Sequence, residues 1–294
     1  MLPERVIKPL LFACATCSAL IVFSIFAFIF KEAYPFMAKH GATFITGLEW
    51  RPTPLFGEPK FGILPMILGT IYMGLGALAI AVPIGIGTAI CVAEYAPAKF
   101  RSFIRSLTEL LVSIPSVVLG FLGLVLIVPW LRGQFGGFGF SILAGAIVLA
   151  IMTLPHIVCI SEDALKSVPI EFRSASLALG ATRLQTLLHV SLPYAKSGIL
   201  ASIMLGLGNA IGETMAVLMV VGNPEVPFIP QSILEPVRVL TSTIVLEMGY
   251  AVWGSEHTQA LFAIGVILFL MVVTLNAVAT AIVRREIIVK PTIK

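Results

Sequence analysis

The feature that most constrains this chain is a series of six apolar runs, each long enough to cross a lipid bilayer as a helix. They cover about residues 9–30, 63–93, 110–131, 141–160, 197–222 and 258–283. The hydrocarbon core of a bilayer is about 30 Å thick, so a helical crossing needs roughly 20 mostly apolar residues. Only 12% of the residues are charged, whereas a soluble domain carries roughly a quarter. The sequence therefore predicts an all-α integral membrane protein with six transmembrane helices.

The basic residues lie in the short gaps between the apolar runs, and they are unevenly distributed. If the N-terminus is cytoplasmic, 13 of the 19 Lys and Arg residues fall on the cytoplasmic side of the membrane. Cytoplasmic loops carry an excess of positive residues, so we expect both termini to be cytoplasmic. The scattered placement also argues against a nucleic-acid surface, which collects its basic residues in one patch.

Two connections between the runs are longer than simple turns. Residues 161–196 separate the fourth and fifth runs on the cytoplasmic side, and the helix-forming residues at 171–188 predict one or two short helices there. Residues 223–257 form an outside segment, in which the apolar stretch 237–252 is too short and too interrupted to cross a bilayer. We expect an interfacial or re-entrant helix in that stretch.

The cytoplasmic connection contains a motif with a defined spacing. Its members are Ser174, Ala175, Ser176, Gly180, Leu192 and Pro193. Glycine adopts a positive φ readily, so Gly180 can reverse the chain, and Pro193 is expected to stop the second short helix. The helix before Gly180 would then project as a compact knob. A surface helix-turn-helix without a partner is the simpler alternative.

This motif resembles the E-A-A-x3-G-x9-I-x-L-P pattern in the permease subunits of ATP-binding-cassette importers, with Ser174 where the pattern has Glu. Further segments within roughly residues 62–285 resemble the PstC family of phosphate permeases. They are AVPIGIG at 81–87, EYAP at 94–97, IPSVV at 114–118, DALKSVP at 163–169, GETMAV at 212–217 and RR at 284–285. The resemblance implies the six-helix fold of a type I importer permease with a cytoplasmic coupling-helix loop, located in the inner membrane of a bacterium or archaeon.

The resemblance also implies partners and a division of the chain. The partners would be a PstA-like permease subunit, a PstB-like ATPase dimer and a PstS-like phosphate-binding protein, and no cofactor is implied. Residues 1–62 would form an N-terminal transmembrane helix and the first outside loop, residues 63–285 the importer transmembrane domain, and residues 286–294 a cytoplasmic tail. The sequence has no G-x-x-x-x-G-K-[ST] loop, so ATP hydrolysis is expected in the partner ATPase.

Glu213 is the only acidic residue inside any of the predicted membrane cores. An ionisable group at that depth costs a few kcal/mol and is a functional candidate by default, although a hydrogen-bonded structural carboxyl is an alternative. On a continuous fifth helix, Ser202, Gly206, Asn209 and Glu213 would share one face. Such a stripe of small and polar residues can line a pathway or admit a partner helix.

The charge of this predicted stripe bears on the transported substrate. The PstC family usually has Arg at the position of Asn209, so an anion here would need a cation from another chain, or Glu213 would have to be protonated. Sulfate, molybdate, tungstate and phosphonate stay open as alternative substrates. A proton-coupled secondary carrier, with Glu213 as the proton shuttle, is a further alternative. The Gly180 to Pro193 spacing argues against it, because such a carrier needs no loop that docks on an ATPase.

Overall fold

The computed structural model describes residues 4–54 and 57–288, and most of these residues are helical. Six helical segments are long and apolar enough to cross a membrane: Lys8–His40, Leu64–Tyr95, Ser116–Phe135, Ile142–Lys166, Arg183–Gly212 and Glu256–Val278. The prediction of an all-α chain with six spans is therefore confirmed. Residues 289–294, most of the predicted cytoplasmic tail, lie outside the described residues.

The chain order of the elements is as follows. The helices are α1 (Glu4–His40), α2 (Ala42–Thr46), α3 (Leu64–Ile90), α4 (Ala98–Ser113), α5 (Ser116–Leu122), α6 (Val128–Phe135), α7 (Ile142–Lys166), α8 (Ile170–Ala178), α9 (Arg183–Thr186), α10 (Leu192–Gly212), α11 (Met215–Val220), α12 (Leu240–Met248) and α13 (Glu256–Ile288). Strands β1 (Trp50–Arg51) and β2 (Lys60–Phe61) form an antiparallel hairpin, with Trp50 opposite Phe61.

Helix α7 lies at the centre of the fold. It packs against α3 and α10. In its apolar 18-residue stretch 61% of the residues are buried, against 28% or less in the corresponding stretches of the other five spans. Small residues permit the close packing: a Cβ added to Gly85 of α3 would lie 2.7 Å from Ile157 of α7. The outer helices α1 and α13 pack together, and the rings of Phe26 and Phe269 stack at 4.5 Å. Residues on α7 are therefore enclosed by the protomer itself.

Three π-helical turns widen the helices, and a proline follows each of them. The turns are Cys91–Tyr95, Gly123–Ile127 and Leu187–Ser191, and the prolines are Pro97, Pro129 and Pro193. The residue before each proline donates its N–H to the carbonyl five residues earlier, as Leu192 does to Leu187. Because proline lacks an N–H and its ring clashes with the preceding turn, a wider turn accommodates it. Pro193 therefore does not stop a short helix as expected, but lies in the first turn of α10.

The third and fifth apolar runs are each broken. Helix α4 ends at Ser113, and Ile114 is extended (φ −73°, ψ 125°) before Pro115, as expected for a residue that precedes proline. The third span therefore begins at Ser116 and not near residue 110. The fifth run, predicted at 197–222, stops being helical at Gly212, and Glu213 is extended (φ −70°, ψ 129°) before α11 begins.

The predicted outside segment, residues 223–257, forms one short helix in the stretch where the sequence predicted an interfacial or re-entrant helix. Helix α12 has nine residues and buries Leu240 and Thr243. The segment before it runs beside the end of α11, where the N–H of Val237 donates to the carbonyl of Val221 at 3.0 Å. The same segment supplies carbonyls to the first N–H groups of α7, with Glu235 accepting from Ile142 at 3.1 Å. The outside segment therefore holds α7, α11 and α12 together.

A buried polar network fastens this segment to the outer end of α13. The Glu247 carboxylate pairs with the Arg238 guanidinium, accepts a hydrogen bond from Trp50 Nε1 at 3.0 Å, and lies 2.7 Å from His257 Nε2. Arg238 also donates to the Thr243 hydroxyl at 3.1 Å. All five residues are at least 95% buried. Removing one partner of such a buried pair leaves an uncompensated charge, which is strongly destabilising.

We therefore expect Glu247→Ala to lower the free energy of unfolding by about 3–5 kcal/mol. The measurement is the thermal unfolding of the detergent-purified complex at neutral pH. Glu49→Ala is the matched control, because the Glu49 ion pair with Lys60 at 2.8 Å is solvent-exposed, and it should leave the unfolding curve nearly unchanged. Equal effects of the two substitutions would contradict a stabilising role for the network.

The same network predicts a loss of stability in acid. Burial of Glu247 raises its pKa, but the hydrogen bond from His257, the charge of Arg238 and the hydrogen bond from Trp50 outweigh it, so the pKa falls below its ordinary value of 4.5. A depressed pKa stabilises the fold above the unfolded-state pKa, and that stabilisation is lost as the pH falls through the folded-state value. The unfolding curves of the wild type and Glu247→Ala should therefore approach each other as the pH falls below about 4.5, and should coincide only below the folded-state pKa of Glu247.

Candidate translocation site

A cavity of about 280 Å³ opens beside the middle of α7, between the two helix breaks. Ile114 lines it from the break between α4 and α5, and Glu213 from the break between α10 and α11. Its other polar side chains are Thr153, His156 and Asn209. At about 30 Å³ per water molecule, the cavity has room for several waters or one small anion. Irregular backbone at membrane depth is tolerated where it is buried in protein or lines such a cavity, and both breaks meet that condition.

Glu213 is held in place by both its carboxylate and its backbone. Its Oε1 atom accepts a hydrogen bond from the N–H of Ala216 at 3.2 Å, and its carbonyl accepts one from the Thr241 hydroxyl at 3.3 Å. The carboxylate thus satisfies a free N–H at the start of α11, as a helix cap does. Helix α12, which contributes Thr241, fixes the break in α10. Glu213 is partly buried and lines the cavity.

Asn209 and His156 meet across the cavity wall. The amide nitrogen of Asn209 lies 3.4 Å from Nε2 of His156. The other ring nitrogen, Nδ1, is enclosed and has no hydrogen-bond partner among the described residues. A buried polar atom without a partner costs about 1–3 kcal/mol. Nδ1 of His156 therefore remains available to a hydrogen-bond partner other than the described residues.

His156 was not among the sequence candidates. A single histidine next to a proline in an apolar run carries no periodic signal, and its approach to Asn209 depends on how α7 and α10 pack. Among the described residues that line the cavity, none is Lys or Arg, and His156 is the one side chain that can gain a positive charge. Its position makes it a candidate the sequence did not offer.

The other two residues of the predicted stripe face the interior of the protomer. Ser202 is fully buried, and its Oγ lies 2.8 Å from Oγ of Ser161 on α7. A Cβ added to Gly206 would contact Ile157, also on α7, at 3.4 Å. The expectation of one stripe along a continuous helix is corrected here: Ser202 and Gly206 bind α10 to α7, while Asn209 and Glu213 line the cavity.

The predicted coupling motif forms a helix-turn-helix with an exposed first helix. Helix α8, which contains Ser174, Ala175 and Ser176, buries none of its residues. Gly180 follows with φ +84°, and a Cβ added there would have no atom within 4 Å. The expected positive φ at this glycine is confirmed. Thr182 and Gln185 then cap α9 reciprocally, which defines the end of the turn.

The remaining members of the motif connect this turn to the membrane helices. The Ser176 hydroxyl lies 2.9 Å from the Thr186 hydroxyl, joining α8 to α9. Ser174 bonds back to the Ile170 carbonyl at 2.8 Å within its own helix. Leu192 and Pro193 lie in the first turn of α10, which continues α9 through the π-helical turn. A displacement of the turn can therefore be passed directly to α10.

Comparison with known proteins gives consistent matches. Residues 81–287 match the family described as "Binding-protein-dependent transport system inner membrane component". The probable ABC transporter permease protein YqgH of Bacillus subtilis is 43% identical over 230 residues, covering 78% of this chain and 73% of that protein. The phosphate transport system permease protein PstC of Mesorhizobium japonicum is 34% identical over 277 residues, covering 87% and 83%.

Solved structures share the fold at lower identity. A permease chain of a bacterial alginate ABC transporter superposes with a TM-score of 0.63 at 16% identity, over 97% of each chain. A chain of the MetNI methionine ABC transporter superposes with a TM-score of 0.57 at 22% identity, over 76% of this chain and 94% of that one. The type I importer fold predicted from the sequence is thus confirmed.

Proposed function

Because the chain belongs to the family of binding-protein-dependent transport system inner membrane components, we propose that it forms half of the translocation pathway of an ATP-driven importer of inorganic phosphate. It is a transport subunit that works with a separate ATPase and a substrate-binding protein. Phosphate is supported by PstC relatives that are 31–34% identical over most of the chain. We propose that its own partners are a PstA-like permease, a PstB-like ATPase dimer and a PstS-like binding protein.

The observation that carries the proposal is the polar cavity between two broken helices. Transporters use discontinuous helices at substrate sites, because the free backbone groups at each break can contact the substrate. The cavity offers the Asn209 amide and the His156 ring as hydrogen-bond donors to an anion. In the complete importer, the pathway would run along this wall of the protomer and be closed by the second permease subunit.

The charge of the cavity requires a contribution from that second subunit. The Glu213 carboxylate repels an anion when it is ionised, and no Lys or Arg is among the described residues around it. We propose that a cation of the PstA-like subunit pairs with Glu213 and meets the phosphate. A protonated Glu213, which would donate a hydrogen bond, is the alternative arrangement. The two arrangements differ in what the substitution Glu213→Gln does to uptake.

Energy would enter through the exposed cytoplasmic turn. ATP binding would close the ATPase dimer on α8, and the displacement would pass through Gly180 and α9 into α10. Because α10 carries Asn209 and ends at Gly212, beside Glu213, movement of α10 changes the cavity directly. ATP hydrolysis would then separate the ATPases and reset the pathway.

The orientation of the chain can be tested with single cysteines in a background without Cys14, Cys17, Cys91 and Cys159. The excess of basic residues places Arg183 in the cytoplasm and Glu49 outside. We therefore expect Glu49→Cys, and not Arg183→Cys, to react with an impermeant thiol reagent added to intact cells. Both side chains are exposed, so access to solvent within the protomer is matched. Labelling of both cysteines from outside would contradict the six-span orientation.

The substrate can be tested in vesicles that contain the complete importer. Uptake of labelled phosphate should require ATP and the binding protein, and it should be inhibited by unlabelled phosphate and arsenate. Sulfate, molybdate, tungstate and phosphonate serve as competing anions at the same concentration. ATP-dependent uptake of one of these anions, without phosphate uptake, would reassign the substrate. Phosphate uptake driven by a proton gradient without the ATPase would show a secondary carrier.

A further inference from the structure

Arg173 connects the exposed helix α8 to two membrane helices at once. Its Nη1 atom lies 3.0 Å from Oε1 of Glu94, which belongs to the π-helical turn at the end of α3. Its Nη2 atom donates to the carbonyl of Leu165 at 2.6 Å, in the last turn of α7. One side chain thus joins the first helix of the cytoplasmic turn to the inner ends of α3 and α7.

The pair is enclosed, and it stands where little apolar packing holds α8. The side chains of Arg173 and Glu94 are 20% and 18% exposed, whereas α8 buries no residue. An ion pair that is largely buried is screened less by solvent than a surface pair. Its strength therefore depends more on the geometry of the two charged groups. The ring contact between Phe172 and Tyr194 at 5.9 Å leads to α10, but it does not reach α3. Arg173 therefore supplies a polar connection from α8 to α3.

The pair also has unused bonding capacity. Arg173 Nη1 lies 3.0 Å from Oε1 of Glu94 and donates its hydrogen bond to Oε2 at 3.1 Å, while Nε of Arg173 has no hydrogen-bond partner among the described residues. A guanidinium and a carboxylate form two parallel hydrogen bonds when they are aligned. The fork that Arg173 can offer to Glu94 is its Nη1–Nη2 edge, because Nε–H lies on the opposite side of the guanidinium from Nη1. Nη2 is bound to the Leu165 carbonyl, so Arg173 divides this fork between α3 and α7.

We propose that Arg173 and Glu94 are positioning residues that make α3 and α7 follow α8 during the ATPase cycle. This inference rests on the proposed function of the chain as an importer permease. When the ATPase moves α8, the pair with Glu94 and the bond to Leu165 draw the inner ends of α3 and α7 with it. Without the pair, α8 would still dock on the ATPase and still move α9 and α10. The wall formed by α3 and α7 would not follow, so ATP would be hydrolysed with less transport.

The test compares ATP hydrolysed with substrate taken up in vesicles containing the complete importer. Glu94→Gln and Arg173→Gln should each raise the ratio of ATP hydrolysed to phosphate taken up on the order of fivefold or more. The ATPase should still co-purify with both variants. Exchange of the two charges, Glu94→Arg with Arg173→Glu, restores the pair with α3 but not the donation to the Leu165 carbonyl, so it should bring the ratio part of the way back toward the wild-type value. Arg105→Gln is the matched control, because the Arg105 pair with Glu109 at 3.5 Å is exposed on the same side of the membrane.

Several results would overturn the inference. A wild-type ratio in both single variants would do so. A lower yield of complex with an unchanged ratio would also do so, because it indicates that the pair has only a structural role. A charge exchange no better than either single variant would also do so. If the neutral variants fail to assemble, Arg173→Lys can be measured instead, because it keeps the charge and loses the planar fork. A wild-type ratio in that variant would contradict the proposal. Absence of phosphate uptake by the wild-type importer would instead refute the proposed substrate, and the same ratio can be measured with the anion that is transported.

Discussion

Glu213→Lys is expected to abolish phosphate uptake in complexes that still assemble. The substitution places a cation where we propose that a cation of the partner subunit must approach. Like charges at close range in a desolvated site cost several kcal/mol, and a loss of about 1.4 kcal/mol is already tenfold in rate. The side chain of Lys also cannot accept the hydrogen bond from the N–H of Ala216. The measurement is initial uptake by vesicles with equal amounts of assembled importer.

The substitutions Glu213→Gln and Glu213→Ala distinguish the charge of Glu213 from its hydrogen bond to the start of α11. Glu213→Gln keeps an oxygen to accept from the N–H of Ala216 but removes the charge. If the carboxylate is paired with a cation, this variant should leave that cation free to hold phosphate tightly, so uptake slows. If Glu213 is protonated, Glu213→Gln should be nearly silent, and Glu213→Ala should fail because the cap of α11 is lost. Glu58→Gln, at an exposed position away from the cavity, controls for the chemical change itself.

One outcome would remove Glu213 from the pathway. If the Gln, Ala and Lys variants all transport phosphate at the wild-type rate in assembled complexes, the residue neither meets the substrate nor shapes the site. The cavity would then have to act through Asn209 and His156 alone.

Gly180→Val is expected to disconnect ATP hydrolysis from uptake. Gly180 has φ +84° and no neighbouring atom that an added Cβ would meet, so the effect arises from backbone strain and not from a clash. A β-branched residue is a conformational outlier at positive φ, with a cost of order 1–3 kcal/mol. The turn would relax by rotating α8 away from the ATPase. We expect normal membrane insertion, with loss of ATPase association or of ATP-driven uptake.

The matched control for this prediction is Gly180→Asn. Asparagine tolerates positive φ far better than valine does, and the space around Gly180 is open. Uptake and co-purification of the ATPase should therefore be nearly normal in Gly180→Asn. Equal behaviour of the Val and Asn variants, either both active or both inactive, would show that backbone conformation at Gly180 does not control the coupling.

The number of spans could be predicted because hydropathy is a local property. Each apolar run is long enough to predict a membrane crossing by itself, and no knowledge of tertiary contacts is needed to recognise the run. The turn at Gly180 was accessible for the same reason, since glycine readily adopts a positive φ and can reverse the chain locally. The start of the third span was placed too early, because residues 110–112 are apolar and belong to the amphipathic helix α4. Pro115 was the signal that marked the true boundary.

The break in the fifth run could not be predicted from its residues. No proline marks it, and the extended conformation of Glu213 is held by a hydroxyl from α12, which is 28 residues away in sequence. Helical periodicity placed Ser202 and Asn209 on one side, but it contains no information on which part of that side meets α7. The ion pair of Arg173 with Glu94 joins residues 79 positions apart, and a single sequence offers no sign of it.

The length of α1 has a consequence for the outer surface of the protein. Its 37 residues extend about 55 Å at 1.5 Å per residue, whereas the hydrocarbon layer is about 30 Å thick. Even at a tilt of about 40°, the upper end of the usual range, its projection across the bilayer is about 42 Å. Lipid can therefore cover only part of this helix. The apolar run of this helix ends near residue 30, so the part beyond it, with the aromatic cluster built on Phe36, Phe44 and Trp50, is covered by protein side chains rather than by lipid.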